Sequence, residues 1–511
     1  MTGQEIPDGR TQNSQWTGSA SIDAKSAAYK AMEEHFALAD DLLGGTIRMR
    51  KAGVKWLPRF AGEEQQEYEW RIKNAVLRNI LGRSADLLVG HMLREGLDKS
   101  ELKLDEAMQE DFDKLGTSID QYAAKVARYI LTHGLAHTLT EFPKVEGERS
   151  LDDERTGGIR PYAILINPTD LWFSLPKYVN GVPVPIDVRW AVDGVEADGL
   201  GDRSYQEIRR LRIVQGDAPA EVKVGAEKLS FAPGAVVWEI WRSAGEGVNY
   251  GLVSAGELKG IDYIPLQTAY ADFQGFMRSI PILDGVAQKN KEHWQASSDH
   301  NSIVQMSRFP MFYATGVTSD EVTKLNILGP HQKLASTNEN AKFGYAEPSG
   351  AAVEQSFKDL ERIAREADQE SIEALYKAGS DTATGRQIDL IENMSPAQRC
   401  AKETERHVNM VLKDFSKRLG GRDLGTVAID LDFGYSQNEQ MMIDALQKAR
   451  ASGDIPRAYY LKRLQEFGPI GDDVNPEELA AEADNEQAER GLSSAFGQGN
   501  DQQGDDEEEA A

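Results

Sequence analysis

At 511 residues the chain is long enough for two to four compact units. Its apolar share is ordinary and no apolar run approaches the ~18 residues of a membrane-spanning helix, so no membrane partner is expected. A formal charge of -26 excludes gripping nucleic acid through the general field of the protein, so DNA, as a partner, must pass by or be touched locally.

The first residues, 1–23, carry no hydrophobic pattern and are expected to be disordered, and Met1 to Ser21 lacks the apolar core of an export signal. From Ala24 to Leu43 the spacing of Ala28, Met32, Phe36, Ala39 and Leu42 predicts a helix that Gly44-Gly45 stops. Glu63 to Leu97 and Asp120 to Thr140 read as two further helices. His133 and His137, four apart on the second of these, have the spacing of a zinc pair, but the residue beside the first is Gly134 rather than a glutamate; a polar helix end is the plainer reading.

From Ile159 to Tyr270 the texture turns to short β-branched and aromatic runs, and Ala163–Ile166, Val188–Val192, Ile208–Val214, Val236–Trp241 and Ile264–Ala269 alternate as half-buried strands do. Trp172, Trp190, Trp238 and Trp241 lack interleaved Lys and Arg, so they are expected to fill cores or subunit contacts rather than to stack bases.

Ser279 to Arg386 is the stretch around which the rest is organised. Its first helix repeats Leu283, Val286, Asn290, Trp294, Ser297, Asn301 and Val304, a half-polar seam. Such a seam suits helices packed between subunits, where polar groups find partners across an interface. Arg308 to Pro348 is a small β-like insert punctuated by Pro310, Gly316, Gly329, Pro330, Gly344 and Pro348. The second helix, Glu354 to Tyr376, repeats Phe357, Leu360, Ile363, Ala364, Ala367, Ile372 and Leu375. A helix of about 26 residues rises roughly 40 Å, enough to span a ring wall. On the second helix seven acids, Glu354, Asp359, Glu361, Glu366, Asp368, Glu370 and Glu373, face three bases, Lys358, Arg362 and Arg365; they either line a bore or form a solvated face. Lys377 to Arg386 is a loop of small residues with a cation at each end, able to touch phosphates or merely to connect helices.

Thr382 to Met394 is helical in pattern, and Ser395-Pro396-Ala397-Gln398 is a capping box with proline at the first helical position. The helix it opens repeats Ala397, Ala401, Thr404, Val408, Val411, Phe415 and Arg418 and stops at Gly420-Gly421. Cys400, the lone cysteine, excludes an internal disulfide and reads as a buried, inert thiol. Val427–Phe433 reads as a strand, and Gln437–Arg450 and Pro456–Phe467 as helices. Asp472 to Ala511 holds fourteen acids against one arginine, and from about Arg490 the chain is of low complexity.

No phosphate loop, GxGxxG turn, HExxH or GxSxG elbow is present, so the chain leans towards assembly rather than turnover, with no cofactor. A resemblance then enters on short stretches in a consistent order. Trp56-Leu57-Pro58, Tyr68-Glu69-Trp70-Arg71, Asn79-Ile80-Leu81-Gly82-Arg83, Arg160-Pro161-Tyr162 and Ile166-Asn167-Pro168-Thr169-Asp170 resemble tailed-phage portal proteins of a group long catalogued as a domain of unknown function. His293-Trp294-Gln295-Ala296-Ser297-Ser298-Asp299, Arg308-Phe309-Pro310, Pro348-Ser349-Gly350-Ala351-Ala352 and Thr382-Ala383-Thr384-Gly385-Arg386 continue it.

The resemblance implies an α+β portal fold in a ring, usually of twelve copies, at one capsid vertex. The ring would pass double-stranded DNA and dock terminase and later a head-tail adaptor, amid the major capsid and scaffolding proteins; assembly in the bacterial host cytoplasm follows. It implies a wing over 24–276, stem helices over 277–307 and 349–376, a clip over 308–348 and a tunnel loop over 377–386. A long wing helix and strand over 387–435, a crown over 436–489 and an acidic tail over 490–511 complete it. In this scheme Lys377, Ser380, Asp381, Thr382, Thr384 and Arg386 would meet DNA, and Lys358, Glu361, Arg362, Arg365 and Glu366 would face the channel. Phe309, Pro310, Phe312, Tyr313, Phe343 and Tyr345 would dock partners on the clip. The readings kept beside it are a metal-dependent hydrolase or nuclease using His133 and His137, and another head-tail connector component.

Overall fold

The computed structural model describes residues 21–143, 159–243, 250–308, 311–317, 338–346, 350–375 and 394–431, with 447, 448, 450 and 459–462 beyond them. The chain divides into two units, Met1–Leu431 and Asp432–Ala511; of the second, the described residues are short helical pieces. The sequence readings at 1–20, 318–337, 376–393 and most of 432–511 lie outside the described residues. No helix among those described is long and apolar enough to cross a membrane.

The first unit is mixed helix and sheet. It begins with helices α1 (Ala27–Leu43), α2 (Gly45–Ala52), α3 (Gln65–Asn74), α4 (Ile80–Met92), α5 (Glu106–Glu110) and α6 (Ile119–His133). Strand β1 (Leu135–Glu141) is central in a three-stranded antiparallel sheet between β2 (Tyr162–Ile166) and β10 (Leu266–Tyr270). A five-stranded antiparallel sheet runs in the order β3 (Phe173–Val179), β4 (Val182–Asp198), β5 (Gly201–Ile213), β8 (Val236–Ser243), β9 (Tyr250–Glu257). Two ribbons, β6 (Ala220–Val224) with β7 (Glu227–Phe231) and β11 (Phe273–Gly275) with β12 (Arg278–Ser279), accompany it. Then come α7 (Asp284–Arg308), the ribbon β13 (Met311–Thr315) with β14 (Lys342–Ala346), α8 (Gly350–Glu373) and α9 (Pro396–Arg418).

Local chemistry fixes several boundaries. The Ser26 hydroxyl accepts from Tyr29 N and opens α1. Gly44 ends that helix, yet a second helix begins at once at Gly45, so the glycine pair makes a corner rather than a stop. The single helix expected over Glu63–Leu97 is two, α3 and α4, parted at Ala75–Asn79, because Asn79 caps α4 with its side chain on Gly82 N. The helix expected from Asp120 to Thr140 ends at His133 and becomes β1. Gly134, at φ 78°, supplies the left-handed cap, and a Cβ there would sit 2.9 Å from Pro281 N, so only glycine meets both demands.

Three of the strand runs read from the sequence fall within β2, β4 and β8, whereas Ile208–Val214 overruns the end of β5 by one residue and Ile264–Ala269 begins two residues before β10. One face of the larger sheet contributes Val188, Trp190, Leu211 and Val236 to a core shared with Leu139, Ile166, Leu266 and Met277. On the other face Arg210 makes two hydrogen bonds to Asp187, at 2.9 and 2.6 Å, and one of 3.3 Å to Glu239, whose other oxygen accepts from Arg212 at 2.7 Å. Burial acts to raise the Glu239 pKa, but Arg210 and Arg212 outweigh it and hold the carboxyl below its ordinary range. Of the four tryptophans, Trp190 lies in the core, Trp172 and Trp238 pack against cores, and Trp241 donates to Glu239 at 3.0 Å.

Ser395 and Gln398 form the expected reciprocal cap of α9, with Pro396 in its first turn. Ala397, Ala401, Thr404, Val408, Val411 and Phe415 are buried, and α9 packs on α6 and β10. Cys400 is fully buried among them, and burial pushes its thiol well above the ordinary cysteine value. Of the strand expected at Val427–Phe433, residues 427–431 are described, and they hold one bridge, Asp98 with Ala428. Side chains of α9 take its backbone instead: Asn409 bonds both Val427 N and Val427 O at 2.9 Å, and Glu405 accepts from Ile429 N.

Candidate functional site

Helices α7 and α8 lie side by side and antiparallel, with the β13–β14 ribbon at their far end. Three contacts fix one register along their length. Gly285 sits against the Glu370 carboxylate, Lys289 Nζ is 2.9 Å from Glu366 Oε2, and His300 Nδ1 is 3.0 Å from Ser356 Oγ. With 25 residues α7 is about 37 Å long. The two chain directions are thus held as one stalk.

Asn290 shows where the polar seam of α7 goes. Its side chain is fully buried; the carbonyl accepts from Ile80 N and Leu81 N, both at 3.0 Å, and the amide donates to Arg78 O at 2.8 Å. It therefore caps α4 of the same chain, which corrects the expectation that this seam residue reaches across a subunit boundary. Leu283, Val286 and Trp294 are buried beside it, while Ser297 and Asn301 are half-buried. On α8 the buried stripe runs Ile363, Ala364, Ala367 and Ser371, and Ala374 just past its end is buried as well. Ser371 Oγ donates to Ser84 Oγ at 2.6 Å on α4, whereas Phe357 and Ile372, expected in the stripe, are about half exposed. Ser371, one turn beyond Ala367, continues the buried row, and Ile372 is turned out of it.

The base of the stalk is fastened twice more. His35 on α1 is 2.7 Å from Asp284 at the start of α7, a place that suits a carboxylate. The hydrogen bond to Asp284 raises the His35 pKa. A folded value above the unfolded ~6.5 means that the contact contributes fully below about pH 6.5 and is lost as pH rises through the folded value. Both groups are about 30% exposed, so His35→Gln is expected to cost about 1 kcal/mol or less at pH 6 and nothing above pH 8. Denaturant midpoints at the two pH values measure it. At the other edge Ala397 N donates to Ala374 O at 3.0 Å, so the chain leaves α8 and re-enters α9 at one point.

The expected site residues are distributed unevenly over this frame. Lys358 pairs with Glu354 at 2.7 Å, and Arg362 with Glu366 at 2.6 Å. The hydrogen bond from Lys289 holds the Glu366 carboxyl below its ordinary range, so Glu366 sits at the edge between the helices, while Glu361, Arg362 and Arg365 are exposed. On the ribbon Phe312 is opposite Tyr345, and Tyr313 opposite Gly344, where a Cβ would meet the Tyr313 ring at 2.7 Å. Tyr313 and Phe343 are exposed. Phe309, Pro310, Lys377, Ser380, Asp381, Thr382, Thr384 and Arg386 lie outside the described residues.

The two histidines do not form a metal pair. His133, ending α6, has Nε2 3.1 Å from Asp40 Oδ1, while His137, on β1, has Nδ1 3.0 Å from Thr268 Oγ1. The helix that would have aligned them breaks at Gly134 between the two. Burial lowers His137 to about 3, so it stays neutral in the core. Among the described residues no group of three His, Cys, Asp or Glu side chains is placed to hold a metal. Asp40 also accepts from Thr169 Oγ1 at 2.9 Å, so the Asn167-Pro168-Thr169-Asp170 turn fastens β2 to α1.

The family model described as "Domain of unknown function (DUF4055)" matches residues 281–417, the span of α7, the ribbon, α8 and nearly all of α9. No curated protein matches. Among solved structures the chain is similar to one in "Neck of native GTA particle computed with C12 symmetry", at 12% identity over 75% of this chain and 88% of that one, with a TM-score of 0.34. It is similar to one in "Neck of empty GTA particle computed with C6 symmetry", at 12% identity over 82% and 97%, with a TM-score of 0.35. A third, in "Virion of native gene transfer agent (GTA) particle", has 12% identity over 79% and 94%, with a TM-score of 0.35. These likenesses are too distant to bear on what this chain does.

Proposed function

We propose that this chain is the subunit of a portal-type ring, a non-enzymatic channel through which double-stranded DNA enters and leaves a phage capsid. The observation that carries the reading is the stalk: two long antiparallel helices in one register, a β-ribbon insert at one end, and at the other a return from α8 to α9. The ordered short motifs of the sequence, spread over residues 50 to 435, support the same reading. In it the stalk is the stem and the ribbon the base of the clip, where terminase and then a head-tail adaptor dock. The loop from Lys377 to Arg386 is the part that meets DNA. Along α8 seven acids stand against three cations, and those that face the bore repel phosphate and let DNA slide.

Electron micrographs of negatively stained, purified protein test this directly. Rings about 150 Å across with a central hole, a size taken by analogy with portals, are the expected result. Compact monomers that hydrolyse DNA in a metal-dependent way, with activity lost in His137→Ala, would overturn it.

A further inference from the structure

Strands β4 and β5 are much longer than the sheet that holds them. They pair with each other from Asp187 with Arg212 out to Asp198 with Gly201, but β8 accompanies β5 only from Glu207 to Ile213, and β3 accompanies β4 only as far as Arg189. Among the described residues the outer part, 193–206, is therefore a two-stranded arm with no strand beside either edge, about 20 Å long. A lone ribbon of this kind is marginal in water unless something covers it. Its register puts Asp193, Val195 and Ala197 on one face with Gln206, Ser204 and Asp202. That face has two carboxylates, an exposed valine and no cation; at the tip Asp198 and Leu200 are exposed, Leu200 at 111%. The opposite face is already occupied: Glu196 pairs with Arg203 and with Arg242, whose guanidinium lies 3.9 Å from the Tyr205 ring centroid.

The same chain carries a surface of opposite character. Arg50 on α2 donates to Ala75 O at 2.9 Å and Thr46 accepts from Leu77 N at 3.1 Å, so α2 and the turn after α3 form one surface. Ile47, Val54 and Val76 are exposed on it, Ile47 at 82%. Lys51 and Lys73 stand among them, and with Arg50 they form no ion pair among the described residues. In a chain of net charge -26 this is a place where an acidic, apolar ribbon meets attraction instead of repulsion.

We infer that the outer end of the 193–206 arm, which carries Val195, Asp198, Leu200 and Asp202, lies on the α2 surface of a second copy of this chain. Val195 and Leu200 cover Ile47 and Val54, while Asp198 and Asp202 meet Lys51 and Lys73. Every copy has one arm and one receiving surface, so the contact is head-to-tail and propagates from copy to copy until it closes. The inference rests on the reading of the chain as a ring subunit and supplies a contact that holds the ring together. DNA phosphates would satisfy the lysines but would leave the arm's apolar tip uncovered.

The test uses the full chain with Ile47→Cys and Leu200→Cys together, treated with a short bis-maleimide; Cys400 is fully buried and does not react. A ladder of covalent oligomers is expected from the double variant and none from either single variant. A charge-reversed arm (Asp198→Lys with Asp202→Lys) or surface (Lys51→Glu with Lys73→Glu) should each raise the concentration needed for assembly about tenfold or more, and the four changes together should restore it. Rings in micrographs without a ladder would overturn the inference and leave the ring reading standing. A ladder that stops at dimers would support the contact and overturn the ring. Lysine reversals that abolish binding to duplex DNA while assembly is unchanged would assign the surface to DNA and overturn the inference.

Discussion

Replacing Asn290 by leucine is expected to destabilise the first unit by about 3 kcal/mol, read as a drop in the denaturant midpoint with little change in slope. The side chain is fully buried and makes three hydrogen bonds to the backbone of residues 78–81. Leu81 N–H lies in the first turn of α4, where no helical partner exists, so it would be left buried and unpaired. Leucine has the same branched four-atom side chain and is the larger of the two, which keeps the loss from being read as a cavity. Asn290→Asp separates the parts of the bond: its oxygens still accept from Ile80 and Leu81, but nothing donates to Arg78 O, and a carboxylate is buried. A smaller loss at pH 5 than at pH 8 is expected from this variant, since a protonated carboxyl can donate as the asparagine amide does. Equal stability of all three forms would show that α4 does not depend on the stalk.

Asn290 also illustrates what the sequence holds and what it hides. Periodicity exposed the polar seam on α7, because spacing is a local property. It did not say whose backbone the seam would satisfy, since the partner is 210 residues away. The breaks were more accessible than the helices across them made them look: Asn79 before Ile80 is an N-cap, and Gly134 after His133 is a left-handed cap, both with recognised local signals that hydrophobic spacing overrode. Ser395-Pro396-Ala397-Gln398 was legible because its reciprocal bonds involve only four residues. Val427–Phe433 misled for the opposite reason: its alternation is real, but Asn409 and Glu405 supply the pairing that another strand would have given. The ribbon and the stalk were legible as insert and helices. Their register, set by Gly285 with Glu370, Lys289 with Glu366 and His300 with Ser356, was not, because three sparse contacts between distant segments leave no mark on either one. The long β4–β5 arm left no mark either, since its exposed valine and leucine look like ordinary strand residues until the neighbouring strands are seen to stop short.

Deleting Ser380 to Thr384 is expected to leave rings intact and to abolish most packaging or retention of full-length DNA. The two halves of that expectation rest on different parts of the molecule. The stalk is held from outside the deletion: Ala397 N bonds Ala374 O at 3.0 Å, Ser371 bonds Ser84, and Arg83 pairs with Asp368, so α8 keeps its place on α4 and α9 whatever the length of the connection between them. Shortening a connection whose ends are already fixed changes closure entropy by only a fraction of a kcal/mol. The functional half rests on composition. Lys377 and Arg386 flank Gly379, Ser380, Thr382, Thr384 and Gly385, which offer backbone and hydroxyl donors to phosphate without the bulk to block a duplex. In the proposed ring, removing the five central residues brings the two cations closer along the chain and withdraws those donors from DNA. Micrographs of the purified variant and the genome length in particles assembled with it read the two halves separately. Broken rings would mean that the connection is structural, and normal yields of particles with full-length genomes would remove DNA contact from this loop.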